Sequence, residues 1–163
     1  MTSINIILLI TATTTALIAG LFYTYTCSVN PGLTRLPDSG YLAAMQSINK
    51  AILNPLFFAS FLGTLLLLPL STYLHYRQPG FSILLIATLV YVIGVIGVTA
   101  FGNIPLNDAL AGFNLKSASI EEIARQRTKF EKPWNKLNTI RTVVSLISLI
   151  LVLIACFGEA KRA

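Results

Sequence analysis

Charged residues are scarce in this sequence. They make up 11% of the 163 residues, whereas hydrophobic residues make up 55% and the mean hydropathy is +0.74. A soluble domain carries about 25% charged residues, so this composition is that of a membrane protein. The net charge is +6, but no nucleic-acid-binding motif accompanies the basic residues. We therefore attribute the charge excess to membrane orientation and predict no nucleic-acid partner.

Residues that bind metals are equally few. The sequence has one histidine, His75, and no Cys, Asp or Glu stands at ligand spacing from it, so we predict no metal site and no cofactor. A Ser-His-Asp or Cys-His triad is excluded, because His75 lies at the turn between the second and third apolar runs, away from the asparagine-rich connections. At that turn, beside Arg77, we expect the ring at the level of the lipid headgroups. Glycine-rich nucleotide-binding loops are also absent from the sequence.

The two cysteines, Cys27 and Cys156, end the first and last apolar runs. If the chain crosses a membrane four times, these ends lie on opposite faces, too far apart for a disulfide. We expect two unpaired, buried thiols.

Four long apolar runs dominate what the sequence does contain. Each approaches the roughly 20 residues that a helix needs to cross the hydrocarbon core, and none has a charged residue at its centre. Because lipid offers no water to unpaired backbone groups, runs of this length form helices. We predict an all-α, four-helix transmembrane bundle that forms one domain, residues 1–163. The predicted spans are about Ile4–Thr26, Ile52–Tyr76, Phe81–Gly102 and Leu137–Phe157.

Small residues recur at helical spacing in two of these runs. Because small residues let a neighbouring backbone approach closely, they predict closely packed helix faces. The faces consist of Ala12, Ala16, Ala19 and Gly20 in the first run, and of Ala87, Gly94 and Gly97 in the third.

The first and third connections are longer than a turn requires, and each predicts a short helix at the membrane surface. In the first connection, Asp38 or Ser39 is placed to cap a helix that ends near Leu53. In the third, the sequence S-I-E-E at 119–122 is a capping box, which marks a helix start. We expect Pro133 to end this helix, because the residue before a proline avoids the α region.

Asparagine, glutamine, arginine and tryptophan residues gather in three stretches that meet at one end of the predicted bundle, which we name the mouth. Amides and guanidinium groups can donate hydrogen bonds to a phenolate, enolate or carboxylate, and tryptophan can stack on a planar ring. These residue types therefore predict a ligand site. The candidates are Arg35, Gln46, Asn49, Asn54, Asn103, Asn107, Trp134, Asn138 and Arg141. Alternatively, the asparagines cap helices, the tryptophan marks the interface and the arginine snorkels to it.

The fourth span carries a continuous polar face. Trp134, Asn138, Arg141, Ser145 and Ser148 recur at steps of four and three residues. A polar face within a membrane helix should point into the bundle rather than at lipid. We therefore predict that the Arg141 guanidinium points inward. Its expected hydrogen-bond acceptors are asparagines of the other two stretches, namely Asn49, Asn54, Asn103 and Asn107.

Four motifs resemble those of the anthrone-oxygenase-like integral membrane family: N-P-G-L-T-R-L-P-D, A-M-Q-S-I-N-K-A-I-L-N-P, N-I-P-L-N-D-A-L and W-N-K-L-N-T-I-R-T. The resemblance extends from Gly20 through the fourth span and implies a four-helix membrane protein. Some members of the family oxidise an anthrone to an anthraquinone with oxygen and without an evident cofactor. Family members often carry a histidine near the tryptophan. This chain has Asn135-Lys-Leu-Asn138 there, so a histidine base is absent from the mouth.

Two functions fit these observations. The first is a cofactor-independent oxygenase of a hydrophobic phenolic, anthrone-like substrate that enters from the bilayer, with Arg141 stabilising its enolate. The alternative is a non-catalytic membrane protein that binds a lipid or quinone, or that serves as a small subunit of a larger complex. We expect membrane lipid as a partner and a hydrophobic small molecule as a ligand.

Basic residues are unevenly divided between the two faces of the predicted bundle. The first and third connections and the start of the fourth span hold nine of the twelve lysines and arginines. Because loops rich in Lys and Arg stay in the cytoplasm, we predict a cytoplasmic mouth and both termini outside.

Overall fold

The computed structural model describes residues 2–160, and the side chains of residues 2–158, as a series of helices. This described part of the chain contains no β-strand, which confirms the predicted all-α fold. The α-helices are α1 (Ser3–Thr24), α2 (Asn30–Leu33), α3 (Asp38–Ala51), α4 (Pro55–Leu74), α5 (Phe81–Leu89), α6 (Ile104–Ala111) and α7 (Ile120–Ala160). Wider π-helical turns occupy Tyr25–Val29, Val90–Gly97 and Thr99–Asn103.

Four stretches of this chain are long and apolar enough to cross a membrane, as predicted for a multi-pass membrane protein. They are Ser3–Leu33, Pro55–Leu74, Phe81–Ala111 and Ile120–Gly158, named the first to fourth membrane helices below. The second agrees with the predicted span to within a few residues. The first, third and fourth are longer than predicted, because the helix continues through the polar stretches at the mouth.

The membrane helices pack side by side in a ring. Helix α1 packs against α4 and α7, and α5 packs against the same two helices. Their inward faces form an apolar core that includes Ile18, Leu68, Leu84, Tyr91 and Val152. Their outward faces expose large apolar side chains such as Leu17, Leu66, Ile93, Phe101 and Ile150. Apolar residues on both faces suit helices whose outer surface meets lipid instead of water.

Pro133 does not end a helix, so that prediction is wrong: α7 continues through it without a break. A proline inside a helix removes a backbone hydrogen bond and costs about 3 kcal/mol. Phe130 and Trp134 flank the proline, are at most 4% exposed, and stack with ring centroids 6.2 Å apart. Burying each aromatic side chain contributes about 1.5–3 kcal/mol, which offsets the lost bond.

The first and third membrane helices contain π-helical turns where they reach the mouth. The turn Tyr25–Val29 is closely followed by Pro31, and Thr99–Asn103 by Pro105. A proline cannot donate to the carbonyl four residues earlier and collides with it. Local π-helical adjustment lets a membrane helix accommodate the residue without breaking. Such turns also change which side chains share a helix face, and both of these turns lie at the cavity described below.

The predicted close packing of the third membrane helix occurs at Ala87 and Gly94 but not at Gly97, where a Cβ atom would contact only the Val92 oxygen of its own helix. In the first membrane helix it occurs on only part of the predicted face. A Cβ atom at Gly94 would lie 2.9 Å from Val144 of α7, so the two backbones approach closely there. In α1, Ala19 is fully buried. Ala16 and Gly20 are exposed, which corrects the wider face predicted from spacing. Helical periodicity does not reveal how much of a face a neighbour covers.

The first connection forms a short helix as predicted, α3, but Asp38 does not cap it. The capping position is Pro37, which makes no side-chain hydrogen bond, and Asp38 is the first helical residue. The capping box at the start of α7 is confirmed. The Ser119 N–H donates to the Glu122 carboxylate at 2.7 Å, and the Glu122 N–H donates to the Ser119 hydroxyl at 3.2 Å.

His75 lies at the end of the second membrane helix, and its ring is wholly buried in protein. Its Nδ1 lies 2.7 Å from the backbone oxygen of Ser71. A Cβ atom at Gly80 would lie 3.6 Å from the ring, at an ordinary van der Waals distance. Cys27 and Cys156 are unpaired as predicted, but Cys27 is exposed rather than buried.

Candidate functional site

An apolar cavity of about 140 Å³ lies inside the bundle at the mouth, and we name it the inner cavity. Its wall includes the aromatic side chains of Phe22, Tyr25, Phe57 and Phe61. Among the predicted site residues, the structure brings to this wall Asn49, Asn103, Asn107, Trp134, Asn138 and Arg141. Among the other wall residues, Leu53, Phe58 and Ile104 are at least 40% exposed, so the cavity also borders the outer surface of the bundle.

Arg141 points into the bundle, as predicted, and is only 6% exposed. Its Nη2 donates to Asn138 Oδ1 at 3.0 Å, and its Nη1 donates to the Thr99 hydroxyl at 3.4 Å. The guanidinium carbon lies 4.3 Å from the centroid of the Phe22 ring, within range of a cation–π interaction. The predicted partners are wrong: within the described chain, the guanidinium forms no hydrogen bond to Asn49, Asn54, Asn103 or Asn107.

The positive charge of Arg141 has no carboxylate partner among residues 2–158. The two ion pairs found there both belong to Arg127. A buried charge is costly unless it is paired and hydrogen-bonded, and one guanidinium nitrogen, Nε, has no hydrogen-bond partner in the described protein. An anion that entered the inner cavity would therefore meet an unpaired cation and a free N–H donor.

Asn138 fixes the position of the Arg141 side chain. It is fully buried, and its Nδ2 donates to the backbone oxygen of Phe22 at 3.2 Å and to the Thr26 hydroxyl at 3.0 Å. With its amide nitrogen held by the first membrane helix, its oxygen faces Arg141. The hydroxyls of Thr26 and Thr142, 2.9 Å apart, form a second polar link between the first and fourth membrane helices.

Asn107 joins the three sequence stretches that form the mouth. Its Oδ1 accepts one hydrogen bond from the Asn49 amide at 3.1 Å and another from the Trp134 indole at 2.9 Å. One side chain of α6 thus holds α3 and α7 together. The three stretches predicted to meet at one end of the bundle do meet there.

Asn103 is the least satisfied residue of the inner cavity. It is 1% exposed, yet neither its Nδ2 nor its Oδ1 has a hydrogen-bond partner in the described protein. Thr99, which contacts Arg141, lies four residues earlier in the same π-helical region. The unpaired carboxamide and the arginine therefore share one wall of the cavity.

A second, larger cavity of about 900 Å³ adjoins the inner one, and we name it the outer cavity. The two share Asn49, Ile52, Leu53, Ile104 and Asn107 as wall residues. Gln46 lines only the outer cavity, where its amide nitrogen donates to the backbone oxygens of Leu110 at 2.8 Å and Phe113 at 2.9 Å. Gln46 therefore fixes α3 against the end of α6.

Besides Gln46, two predicted site residues lie outside the inner cavity, and these two line neither cavity. Arg35 is exposed. Asn54 caps α4, since its Oδ1 accepts from the Phe57 N–H at 3.0 Å and its Nδ2 donates to the Ala51 oxygen at 2.9 Å. For Asn54 the helix-capping alternative is therefore correct.

Sequence reasoning missed Arg127, which holds the first connection against α7. Its guanidinium donates to the backbone oxygens of Thr34 and Leu36 at 2.9 and 2.8 Å, to Asp38 at 2.9 Å and to Glu131 at 2.7 Å. Its one sequence signal was Glu131, which lies four residues later in the same helix and so on the same face.

Arg127 also lies 4.6 Å from the centroid of the Tyr41 ring. Burial, with a contribution from the charge of Glu131, raises the pKa of the Tyr41 phenol above its ordinary value, and the charge of Arg127 opposes the shift. Tyr41 is therefore a neutral aromatic support for α7, packed edge-on against Phe130.

The acid–base groups around the inner cavity are few. Among residues 2–158, no carboxylate or imidazole belongs to its wall, and Tyr25 and Arg141 are its ionisable side chains. Within the part of the chain that the structure describes, no group of three or more His, Cys, Asp or Glu residues is arranged to hold a metal ion.

The fold and the site together define a multi-pass membrane protein with an arginine-lined cavity at one end of a four-helix bundle. The sequence model of one family, described as anthrone oxygenase, matches residues 42–151, which is more than half of the chain. The chain belongs to the anthrone oxygenase family, as its motifs predicted. A search of curated proteins and a search of solved structures find no match.

Proposed function

We propose that this protein is an oxygenase that oxidises a hydrophobic phenolic, anthrone-like substrate with molecular oxygen and without a cofactor. The observation that carries the proposal is the Arg141 guanidinium, which is 6% exposed and lies unpaired with any described carboxylate in the wall of an apolar cavity. Membership of the anthrone oxygenase family supports the same activity.

The arginine favours the ionised form of the substrate. Two unit charges 4 Å apart interact by about 4 kcal/mol at the effective dielectric constant of roughly 20 that suits protein sites. That energy corresponds to a drop of about 3 units in the pKa of a bound enol or phenol. The rigid hydrogen bond from Nη2 to Asn138 holds the cation in place before the substrate arrives, so little reorganisation opposes the reaction.

The ionised substrate can itself reduce oxygen. The enolate gives one electron to O₂, and the resulting substrate radical and superoxide combine to form a carbon–oxygen bond at the former CH₂ carbon. The peroxide takes up a proton to form a hydroperoxide. Its O–O bond then breaks as the electron pair of the C–H bond forms C=O, and the released hydroxide and proton leave as water. The net reaction, CH₂ + O₂ → C=O + H₂O, transfers four electrons and needs no other reductant.

The shape of the site suits such a substrate. A cavity of about 150 Å³ is known to hold benzene in a protein interior, so the inner cavity of about 140 Å³ has room for one aromatic ring. The shared wall lets the rest of a fused-ring substrate extend into the outer cavity of about 900 Å³. The exposed apolar residues Leu53, Phe58 and Ile104 form a route by which it would enter from lipid.

The test is oxygen uptake by the purified protein with 1,8-dihydroxyanthrone, measured with an oxygen electrode. Under ¹⁸O₂, the product should gain one labelled oxygen atom. Arg141→Gln should lose the protein-dependent rate, and Arg141→Lys should lose most of it, because an ammonium group cannot reproduce the planar fork of donors. Arg125→Gln is the matched control, since Arg125 is exposed. If the wild-type protein consumed oxygen no faster than Arg141→Gln, the proposal would be overturned.

The absence of a carboxylate or imidazole from the inner cavity wall favours one alternative, a protein that binds a phenol or quinone without converting it. A catalytic base normally lies within hydrogen-bond reach of the proton it removes. Saturable ligand binding by the wild-type protein, with no oxygen uptake above that of Arg141→Gln, would establish this second function.

A further inference from the structure

Three polar groups of the inner cavity wall have no partner within the described protein: Arg141 Nε, Asn103 Nδ2 and Asn103 Oδ1. Both residues are buried, at 6% and 1% exposure. More than nine in ten buried polar groups in proteins are hydrogen-bonded, and an unmade bond costs about 1–3 kcal/mol. Every other amide and indole of this wall has a partner, including those of Asn49, Asn107 and Trp134. The unmet groups of this wall thus belong to two side chains.

The unmet groups differ in kind. Arg141 Nε and Asn103 Nδ2 are donors, and Asn103 Oδ1 is an acceptor. The Nδ2 and Oδ1 atoms of Asn103 are bonded to the same carbon. They therefore face two ligand groups that lie side by side. A charged donor requires an anionic or strongly polarised oxygen, and an acceptor beside it requires a hydroxyl.

We infer that the inner cavity selects an aromatic compound that presents two oxygens side by side, one an oxyanion and the other a hydroxyl, and that Asn103 is the residue that determines this selection. Arg141 Nε and Asn103 Nδ2 donate to the oxyanion, and Asn103 Oδ1 accepts from the hydroxyl. This inference rests on the proposed function for the location of the ligand, and it adds which substitution pattern the site prefers.

The experiment uses two isomeric probes, catechol and 1,4-hydroquinone, which have one ring each and differ in whether their oxygens are adjacent. Trp134 is the single tryptophan of the chain, and it lies in the cavity wall, so its fluorescence reports binding. Titrations are performed on the full-length protein in detergent under argon, which keeps both probes reduced. Calorimetric titration provides a second readout that does not depend on light absorption by the probes.

Wild-type protein should bind catechol about tenfold more tightly than hydroquinone, which is the effect of one additional hydrogen bond to a buried group. Asn103→Leu should bind both isomers with the weaker affinity. Asn30→Leu is the matched control: Asn30 is also buried with an unpaired Oδ1, but it belongs to neither cavity wall. This variant should keep the preference for catechol.

Equal binding of the two isomers by the wild-type protein would overturn the inference whether or not the variants fold. Retention of the preference by Asn103→Leu would also overturn it. A catechol preference that depends on Asn103, found together with no protein-dependent oxygen uptake from the anthrone, supports the inference and overturns only the proposed oxidation. Anthrone oxidation together with equal binding of the two isomers would overturn the inference and support the proposed oxidation.

Discussion

Trp134 donates its indole N–H to the carboxamide oxygen of Asn107 at 2.9 Å, and this bond connects the fourth membrane helix to the end of the third. The same oxygen accepts from Asn49 of α3 at 3.1 Å. Loss of Asn107 therefore leaves two donors without a partner, one on the buried Trp134 and one on the partly buried Asn49.

We expect Asn107→Leu to lower the free energy of unfolding by about 1–3 kcal/mol, because unmet buried donors keep their full desolvation cost. Trp134→Phe removes one donor, keeps the aromatic ring, and should cost less. The measurement is reversible unfolding in mixed micelles, with Asn114→Leu as the control because Asn114 is exposed. A loss for Asn107→Leu no larger than that of the control would show that the bonds contribute nothing.

The second prediction concerns Gly94. Its missing side chain admits Val144, from which an added Cβ would be separated by 2.9 Å. Gly94→Ala should destabilise the bundle by about 1–3 kcal/mol through overpacking, and Val144→Ala in the same chain should restore most of the loss. Gly20→Ala is the control, because no atom lies within 4 Å of a Cβ there. It should be neutral or stabilising by up to about 1 kcal/mol. If Gly94→Ala and Gly20→Ala had the same effect on stability, the close contact between Gly94 and Val144 would be contradicted.

The third prediction concerns Arg127, which bonds to two backbone oxygens of the first connection and to two carboxylates. Arg127→Lys keeps the charge but loses the fork of donors. We expect the free energy of unfolding to fall by about 1–3 kcal/mol. We also expect faster proteolysis near Leu36, detected by mass spectrometry of the fragments. Arg125→Lys, at an exposed neighbouring position, should leave the cleavage rate unchanged. Unaltered cleavage in Arg127→Lys would show that other contacts hold the connection.

The fourth prediction is the orientation of the chain. A cysteine at Ser119, which is exposed at the mouth, should stay unlabelled by an impermeant thiol reagent on intact cells if the mouth is cytoplasmic. Cys27 and Cys156 must first be replaced, because both are free thiols. Labelling should appear once the cells are permeabilised. Labelling before permeabilisation would place the mouth outside.

Hydropathy alone was enough to predict the membrane class and the number of spans. The lipid core imposes a length and an apolar composition on each helix, and both are local properties of the sequence. The inward direction of Arg141 was predictable for a similar reason: the residues at 134, 138, 141, 145 and 148 share one helix face. The capping box at 119–122 was predictable because its two hydrogen bonds join residues three positions apart.

The tertiary structure decided which groups bind to one another. Arg141 is held by Asn138 and Thr99 rather than by the predicted asparagines. Asn49 and Asn107 pair with each other instead, and Asn54 caps a helix. Arg127 holds the first connection, whereas Arg35, predicted as a site residue, is exposed. Such pairings depend on the relative rotation and depth of helices far apart in sequence. A periodic pattern assigns a residue to a face and does not determine its distance from another helix.

Pro133 shows the same division of information. The local preference of the chain favours a helix end at this proline, and the sequence offers no sign that Phe130 and Trp134 would share one buried cluster across it. The burial of these rings arises from contacts with α3 and the end of the third membrane helix, which form only when the chain folds. The helix continues because that burial contributes more free energy than the proline removes.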